Sequence, residues 1–183
     1  MYIQHSHIVL DACCVLNFCA SGNFLAILKA IPAQVVVTEV VKEQEIKILQ
    51  SLEDEENKGI LQFEKAIESG LLAVVDFVSE AEEETFVNTA SVLGDDGESA
   101  TFAIALHRDW GIATDDKKAI AFFQKEAPQL QILSTLAIVK HWSEEEHIDA
   151  AQLKITLSAI RIKGRYIPRR NHPLLSWWEN AME

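Results

Sequence analysis

Short runs of apolar residues alternate with segments of helical periodicity along most of the chain. The apolar runs predict strands at His7–Leu10, Gln34–Val37, Leu71–Val75, Gly111–Thr114 and Gln131–Leu133. Uninterrupted runs such as Ile8–Leu10 are typical of strands that are buried on both faces. Strands that alternate with helices in this way predict βαβ units, and therefore an α/β fold whose parallel sheet is covered on both faces.

Capping residues indicate where several of the helices begin and end. Asn23 is predicted to cap the second half of a helix over about Val15–Ala30, and Gly70 to follow the end of another. Ser79-x-x-Glu82 and Ser143-x-x-Glu146 have the spacing of capping boxes, which open helices. The other predicted helices cover about 38–50, 60–68, 98–107, 117–125, 136–142 and 150–163, and the acidic segment 51–57 is predicted as a loop or helix end.

Charge is distributed unevenly between the body of the chain and its C-terminal part. The 183 residues carry 16 Lys and Arg against 28 Asp and Glu, a net charge of −12. The stretch Lys154–Trp178 holds six basic residues and no acidic one, and only Glu179 and Glu183 are charged after it. Residues 1–153 therefore carry 10 basic and 26 acidic residues, a net charge of −16. An acidic body argues against broad nucleic-acid binding, whereas a segment of one sign is often an interaction element. The basic segment therefore either packs against the domain or contacts RNA phosphates.

Acidic residues cluster where predicted strands end and helices begin. They are Asp11 after the first strand, Glu39 and Glu43 after the second, Asp95, Asp96 and Glu98 at a glycine-flanked turn, and Asp115 and Asp116 after the fourth. In an open parallel sheet the carboxyl ends of the strands line one crevice, where ligands bind. Acids from four places in the chain should therefore converge there, although Asp95 and Asp96 are expected to be turn and cap residues.

Converging carboxylates repel one another unless they take up protons or a cation neutralises them. Oxygen ligands without His or Cys suit Mg²⁺ or Mn²⁺ rather than zinc. A divalent ion held in this way can activate water and stabilise the oxygens of a phosphoryl displacement. The pattern therefore predicts hydrolysis of a phosphate ester.

Four segments, in this order, resemble the PIN domain family. They are Ile8–Asn17 (IVLDACCVLN), Val35–Glu43 (VVVTEVVKE), Leu93–Ala100 (LGDDGESA) and Ile112–Lys118 (IATDDKK). The likeness runs from about residue 7 to 140 and is strongest to a prokaryotic branch that contains many toxin-type ribonucleases. It implies a three-layer α/β/α sandwich with a central parallel sheet, a Mg²⁺ or Mn²⁺ cofactor, and cleavage of RNA.

The resemblance also implies which residues form the site. The metal-binding and catalytic acids would be Asp11, Glu43, Glu98 and Asp116, with Asp115 as the competing choice for the last. Thr114 would be the small hydroxyl residue beside it. The family commonly has Ser, Thr or Asn just after the first acid, where this chain has Ala12, Cys13 and Cys14. A polar contact to Asp11 or to the metal is therefore expected to be missing.

Three functions follow from these observations. The first is a metal-dependent endoribonuclease, the toxin of a toxin–antitoxin pair, with RNA as substrate and an antitoxin as protein partner. The alternative is a catalytically weak PIN-fold binding or regulatory protein, which Cys13 and the acidic body favour. A phosphomonoesterase or phosphoacceptor domain is disfavoured, because Glu43 and Glu98 would have no role in it. The sequence leaves self-association open.

The remaining expectations concern organisation and compartment. Residues 1–142 are predicted to form the PIN-like domain, and residues 143–183 a helical, basic C-terminal extension. No apolar run reaches the ~18 residues that a membrane-spanning helix needs, and no signal peptide is expected. Cys13, Cys14 and Cys19 have neither disulfide nor zinc spacing, so we expect core packing in a reducing cytoplasm.

Overall fold

The structure, a computed structural model, describes residues 2–43 and 58–183. Its strands are β1 (His7–Leu10), β2 (Gln34–Thr38), β3 (Leu72–Val75), β4 (Gly111–Ala113) and β5 (Ile132–Leu133). They form one sheet in the order β3-β2-β1-β4-β5, and every neighbouring pair is parallel. The predicted parallel α/β fold is confirmed.

Helices follow each strand. They are α1 (Ala12–Ala20), α2 (Phe24–Ala30), α3 (described over residues 39–43), α4 (Lys58–Glu68), α5 (Glu80–Leu93), α6 (Asp96–Arg108), α7 (Lys117–Glu126), α8 (Thr135–Glu145), α9 (Ala150–Ile162) and α10 (Leu175–Met182). The remainder of the predicted helix 38–50 and the predicted acidic segment 51–57 lie outside the described residues. None of the described helices is long and apolar enough to cross a membrane.

Alternating side chains of the central strands build a core on each face of the sheet. Ile8 and Leu10 point into one hydrophobic cluster, which also contains residues of α1, α2, α4 and α8. Val9 points into the other, where Phe102 of α6 and Phe123 of α7 stack on each other with ring centroids 4.8 Å apart. Because a strand exposes successive side chains to opposite faces, an all-apolar strand requires a helical layer on both sides. The result is the three-layer α/β/α sandwich.

Three of the predicted helix boundaries are confirmed and two are wrong. Gly70 follows α4 with a φ of +75°, and the Ser79 hydroxyl accepts from the Glu82 N–H at the start of α5, as predicted. Asn23 is the N-cap residue of α2, the second half of the predicted helical segment Val15–Ala30, although its side chain bonds no N–H of that helix. The first half, α1, begins at Ala12 rather than at Val15, and Gly22, with a φ of +73°, separates the two helices. Ser143 opens no helix: it lies within α8, where its hydroxyl donates to the carbonyl of Lys140.

The C-terminal helices pack onto the same core as the sheet. Leu157 and Ile160 of α9 and Trp178 of α10 belong to the cluster that contains Ile8 and Leu10. The predicted boundary between residues 142 and 143 falls inside α8. The division of the chain into 1–142 and 143–183 stays a prediction, but side chains of α9 and α10 belong to the hydrophobic core of the sandwich.

Candidate metal centre

Three helices begin with an aspartate at the edge of the sheet where the strands end. Asp11 caps α1, Asp95 caps α6 and Asp116 caps α7, each accepting a backbone N–H of its own helix. A carboxylate at this position satisfies N–H groups that the helix cannot bond internally, and the helix dipole favours its charge. The turns that end β1 and β4 therefore fix Asp11 and Asp116 in place.

Asp11 is almost completely buried and well supplied with donors. Its side chain is 3% exposed, and its Oδ2 accepts from Thr114 Oγ1 at 2.7 Å and from Cys13 Sγ at 3.2 Å. Its Oδ1 accepts from the Ala12 N–H at 2.8 Å. Burial raises the pKa of Asp11, although these hydrogen bonds oppose the rise. The expectation that Asp11 lacks a polar neighbour is wrong, because Thr114 and the thiol of Cys13 take that role.

Thr114 connects the first acid to the last. Its buried hydroxyl donates to Asp11 and accepts from the backbone N–H of Asp116 at 3.2 Å. The Oδ1 of Asp116 accepts in turn from the N–H groups of Lys118 and Ala119, at 2.7 and 2.9 Å. One hydroxyl group thus links the carboxylate of Asp11, at the end of β1, to the backbone of Asp116, after β4.

Glu98, in the first turn of α6, lies within the field of the other acids. Burial is the main cause that raises its pKa to about 7, and the charges of Asp116, Asp11 and Asp95 add to the effect. The nearby Lys118 lowers the pKa by less. The structure therefore brings Asp11, Glu98 and Asp116 together, with Asp95 beside them.

The acids that follow the second strand, Glu39 and Glu43, are placed differently from those described above. The end of this strand lies beside that of β1, because Val36 pairs with Val9. Glu39 forms an ion pair with Lys42 at 2.7 Å, and Glu43 is exposed at the last described residue of α3. No hydrogen bond or ion pair between described residues joins Glu43 to the other acids. Its assignment as a ligand stays a prediction.

Asp115 faces away from Glu98, toward α8 and the C-terminal segment. Its carboxylate accepts from the Thr135 N–H at 3.2 Å and from the Tyr166 hydroxyl at 3.5 Å. Arg169 donates to its backbone carbonyl at 2.8 Å. Burial raises the pKa of Asp115, and the bonds from Thr135 oppose the rise. The geometry thus separates the two adjacent aspartates, and Asp116 is the one that shares the surroundings of Glu98.

The donor set fits a hard divalent cation. Asp11, Glu98 and Asp116 offer carboxylate oxygens only, which suits Mg²⁺ or Mn²⁺. Among the described residues, no three acids have oxygens within 4.8 Å of one another. This spacing is compatible with magnesium, which usually keeps several waters and takes only one or two carboxylates directly. A cation bound among these acids would favour the charged form of Glu98, against the burial and the neighbouring charges that raise its pKa.

The comparison with known families agrees with this arrangement. The family model described as DUF3368: PIN domain matches residues 7–173, so the chain belongs to the PIN domain family. The match extends well past residue 140, where the sequence resemblance was predicted to end, and includes the C-terminal segment that contacts Asp115. PIN domains have a nuclease fold and are generally metal-dependent nucleases. No curated protein and no solved structure matches the chain.

Proposed function

We propose that this PIN domain is a Mg²⁺- or Mn²⁺-dependent endoribonuclease. One observation supports the proposal above the others: Asp11, Glu98 and Asp116 come from three separate parts of the chain, and they lie close enough that the charges of Asp11 and Asp116 add to the effect of burial on the pKa of Glu98. Carboxylates gathered in this way must take up protons or bind a cation, and groups with such raised pKa values cluster at functional sites.

Asp11, Glu98 and Asp116 would hold the cation. When bound, it would supply a hydroxide at neutral pH and stabilise charge on the phosphate oxygens. Thr114 fixes the orientation of the Asp11 carboxylate. The N-termini of α1, α6 and α7 direct positive dipole ends toward the same region, which favours an anionic substrate.

RNA needs positive charge that the acidic body does not offer, and we assign this role to the C-terminal basic segment. Arg165 and Arg169 line a cavity of about 630 Å³, and Thr114 and Asp115 also line it. Both arginines are exposed. Residues of this kind contact phosphates without reading sequence. Arg108, by contrast, is bound to Glu82 at 2.7 Å.

Cleavage of a fluorescent RNA in Mn²⁺ tests the proposal. Asp11→Asn and Asp116→Asn should each lose on the order of 100-fold or more in rate, because the charge that holds the cation is reduced. Asp96→Asn is the matched control, since Asp96 is an exposed acid at the start of α6. Undiminished cleavage by Asp11→Asn would contradict the proposal.

We further propose a more specific function for this nuclease, that of a toxin in the cytoplasm. It predicts that induced expression of the wild type arrests bacterial growth, and that Asp11→Asn does not. An antitoxin encoded nearby is the expected partner. Normal growth of cells that produce the active nuclease would contradict the toxin role, but it would not contradict the nuclease activity.

A catalytically weak binding protein is the second candidate, and the position of Cys13 favours it. A thiol, which is a weak donor, occupies the contact with Asp11. Calorimetry with Mn²⁺ separates the two candidates. No Mn²⁺ binding at millimolar concentrations of the metal would favour the catalytically weak binding protein.

A further inference from the structure

A second group of potential metal ligands lies beside the acid cluster. One ligand atom each from Cys13, Cys14 and Asp115 lies within 4.8 Å of the other two. Among the described residues, no other set of three or more His, Cys, Asp or Glu side chains is as compact. The function proposed above uses neither thiol as a ligand.

The fold assembles this group from two strand ends. Cys13 and Cys14 lie in the first turn of α1, directly after β1, and Asp115 follows β4, the neighbour of β1. The Sγ of Cys14 is 3.9 Å from Asp115 Oδ2, and the Asp115 N–H donates to the Sγ of Cys13 at 3.3 Å. Thr135 holds the arrangement, since its N–H donates to Asp115 and its hydroxyl donates to Cys14.

The spacing is close to that of a tetrahedral site. Sulfur and oxygen ligands of zinc lie about 3.5–3.8 Å apart, as follows from bond lengths of about 2.0–2.3 Å. A shift on the order of 1 Å would bring the three atoms to that spacing. A cavity of about 260 Å³, lined by Cys13, Asp115, Asp116 and Tyr166, reaches two of the three ligands and has room for a water as the fourth, whereas Cys14 is fully buried.

We propose that Cys13, Cys14 and Asp115 bind a thiophilic divalent cation of the Zn²⁺ and Cd²⁺ class. Two thiolates select such ions over Mg²⁺ and Mn²⁺. Binding would transfer the two thiol protons to solvent and form two metal–sulfur bonds. Without a cation, burial raises the pKa of Cys14, which keeps that thiol protonated and unreactive. The site adjoins the acid cluster, because the Cys13 thiol also donates to Asp11, but binding of Zn²⁺ or Cd²⁺ there does not depend on RNA cleavage.

Titration of the metal-free protein with Cd²⁺ tests this site through the ultraviolet charge-transfer band of cadmium–thiolate bonds. The wild type should develop the band with one equivalent of Cd²⁺. Cys13→Ser and Asp115→Asn should weaken Cd²⁺ binding by about 100-fold or more, because even outer-shell changes cost 10–100-fold. Circular dichroism and thermal melting verify that each variant is folded.

Two controls make the result specific. Cys19→Ser removes a buried cysteine of the same helix α1 and should keep the band. Asp116→Asn weakens the acid cluster and should also keep it. The absence of a band in folded wild-type protein would overturn the proposal, and so would a band that Cys19→Ser abolishes as fully as Cys13→Ser does.

Discussion

Replacing Glu98 by glutamine should stabilise the metal-free protein at alkaline pH. The folded-state pKa of Glu98 is about 7, against an ordinary value of 4.5. The folded protein therefore binds this proton more tightly than the unfolded chain does. Stability without metal falls as pH rises from about 4.5 to about 7, and the loss is complete above that range. Glutamine stays neutral and avoids the loss.

The size of the stability change follows from the pKa shift of Glu98. One pKa unit corresponds to 1.36 kcal/mol, so the full shift would be worth about 3 kcal/mol. Glu98 is half-buried, and solvent screening reduces this figure to about 2 kcal/mol at pH 8. The substitution also removes a favourable charge from the first turn of α6, which costs about 0.3–1 kcal/mol. The electrostatic gain is larger, so the net change should be stabilising.

Urea denaturation in EDTA at pH 5 and pH 8 measures the change. Glu98→Gln should raise the free energy of unfolding at pH 8, and the gain should shrink toward pH 5, where the carboxyl of the folded wild type is largely protonated. Glu84→Gln, at an exposed position of α5, is the matched control and should show no such pH dependence. A variant that is destabilised at pH 8, or equally stabilised at both pH values, would refute the reasoning.

Three further predictions concern metal, backbone and RNA. Saturating Mn²⁺ should raise the melting temperature of the wild type more at pH 8 than at pH 6, because below about pH 7 protons compete with the cation at Glu98; equal shifts at both pH values would contradict this. Gly164→Ala should lower the free energy of unfolding by about 1–3 kcal/mol in a urea titration, since the added Cβ would lie 2.7 Å from the carbonyl oxygen of Ile160. Unchanged stability would contradict this and show that the backbone moves to accommodate the methyl group. Arg169→Ala should reduce the salt dependence of single-stranded RNA binding by about 0.7 in log–log slope, measured by fluorescence anisotropy. Lys65→Ala, at an exposed position of α4 outside the basic segment, should leave the slope unchanged; equal slopes for both variants would place the RNA elsewhere.

The layers of the fold could be predicted from the sequence because burial leaves a direct pattern. Ile8–Leu10 and Val35–Val37 are apolar at every position, which only a sheet covered on both faces accommodates. The end of α8 could not be predicted with the same security. Ser143 and Glu146 have capping-box spacing, but the Ser143 hydroxyl bonds back within the helix, and Asp149 caps α9 instead. A short motif cannot distinguish these two uses of a serine.

The candidate site, like the fold, could be predicted from the sequence only in part. That acids would gather at the strand ends follows from topology. The choice of Asp11, Glu43, Glu98 and Asp116 among them came from the resemblance to the PIN domain family. The directions of adjacent side chains depend on packing, and the sequence therefore left Asp115 and Asp116 as alternatives.

The thiol group could not be found by spacing at all. Its cysteines lie about a hundred residues from Asp115 along the chain, and only the pairing of β1 with β4 brings them together. Cys14 and Cys19 are buried, as expected of core residues, but Cys13 is only partly so.

The position of a bound Mn²⁺ ion tests the central claim most directly. Anomalous diffraction from crystals soaked in Mn²⁺ should show a peak in contact with carboxylate oxygens of Asp11 and Asp116, close to Glu98. A saturating soak that leaves these carboxylates without a peak, in a crystal where solvent reaches them, would contradict the account.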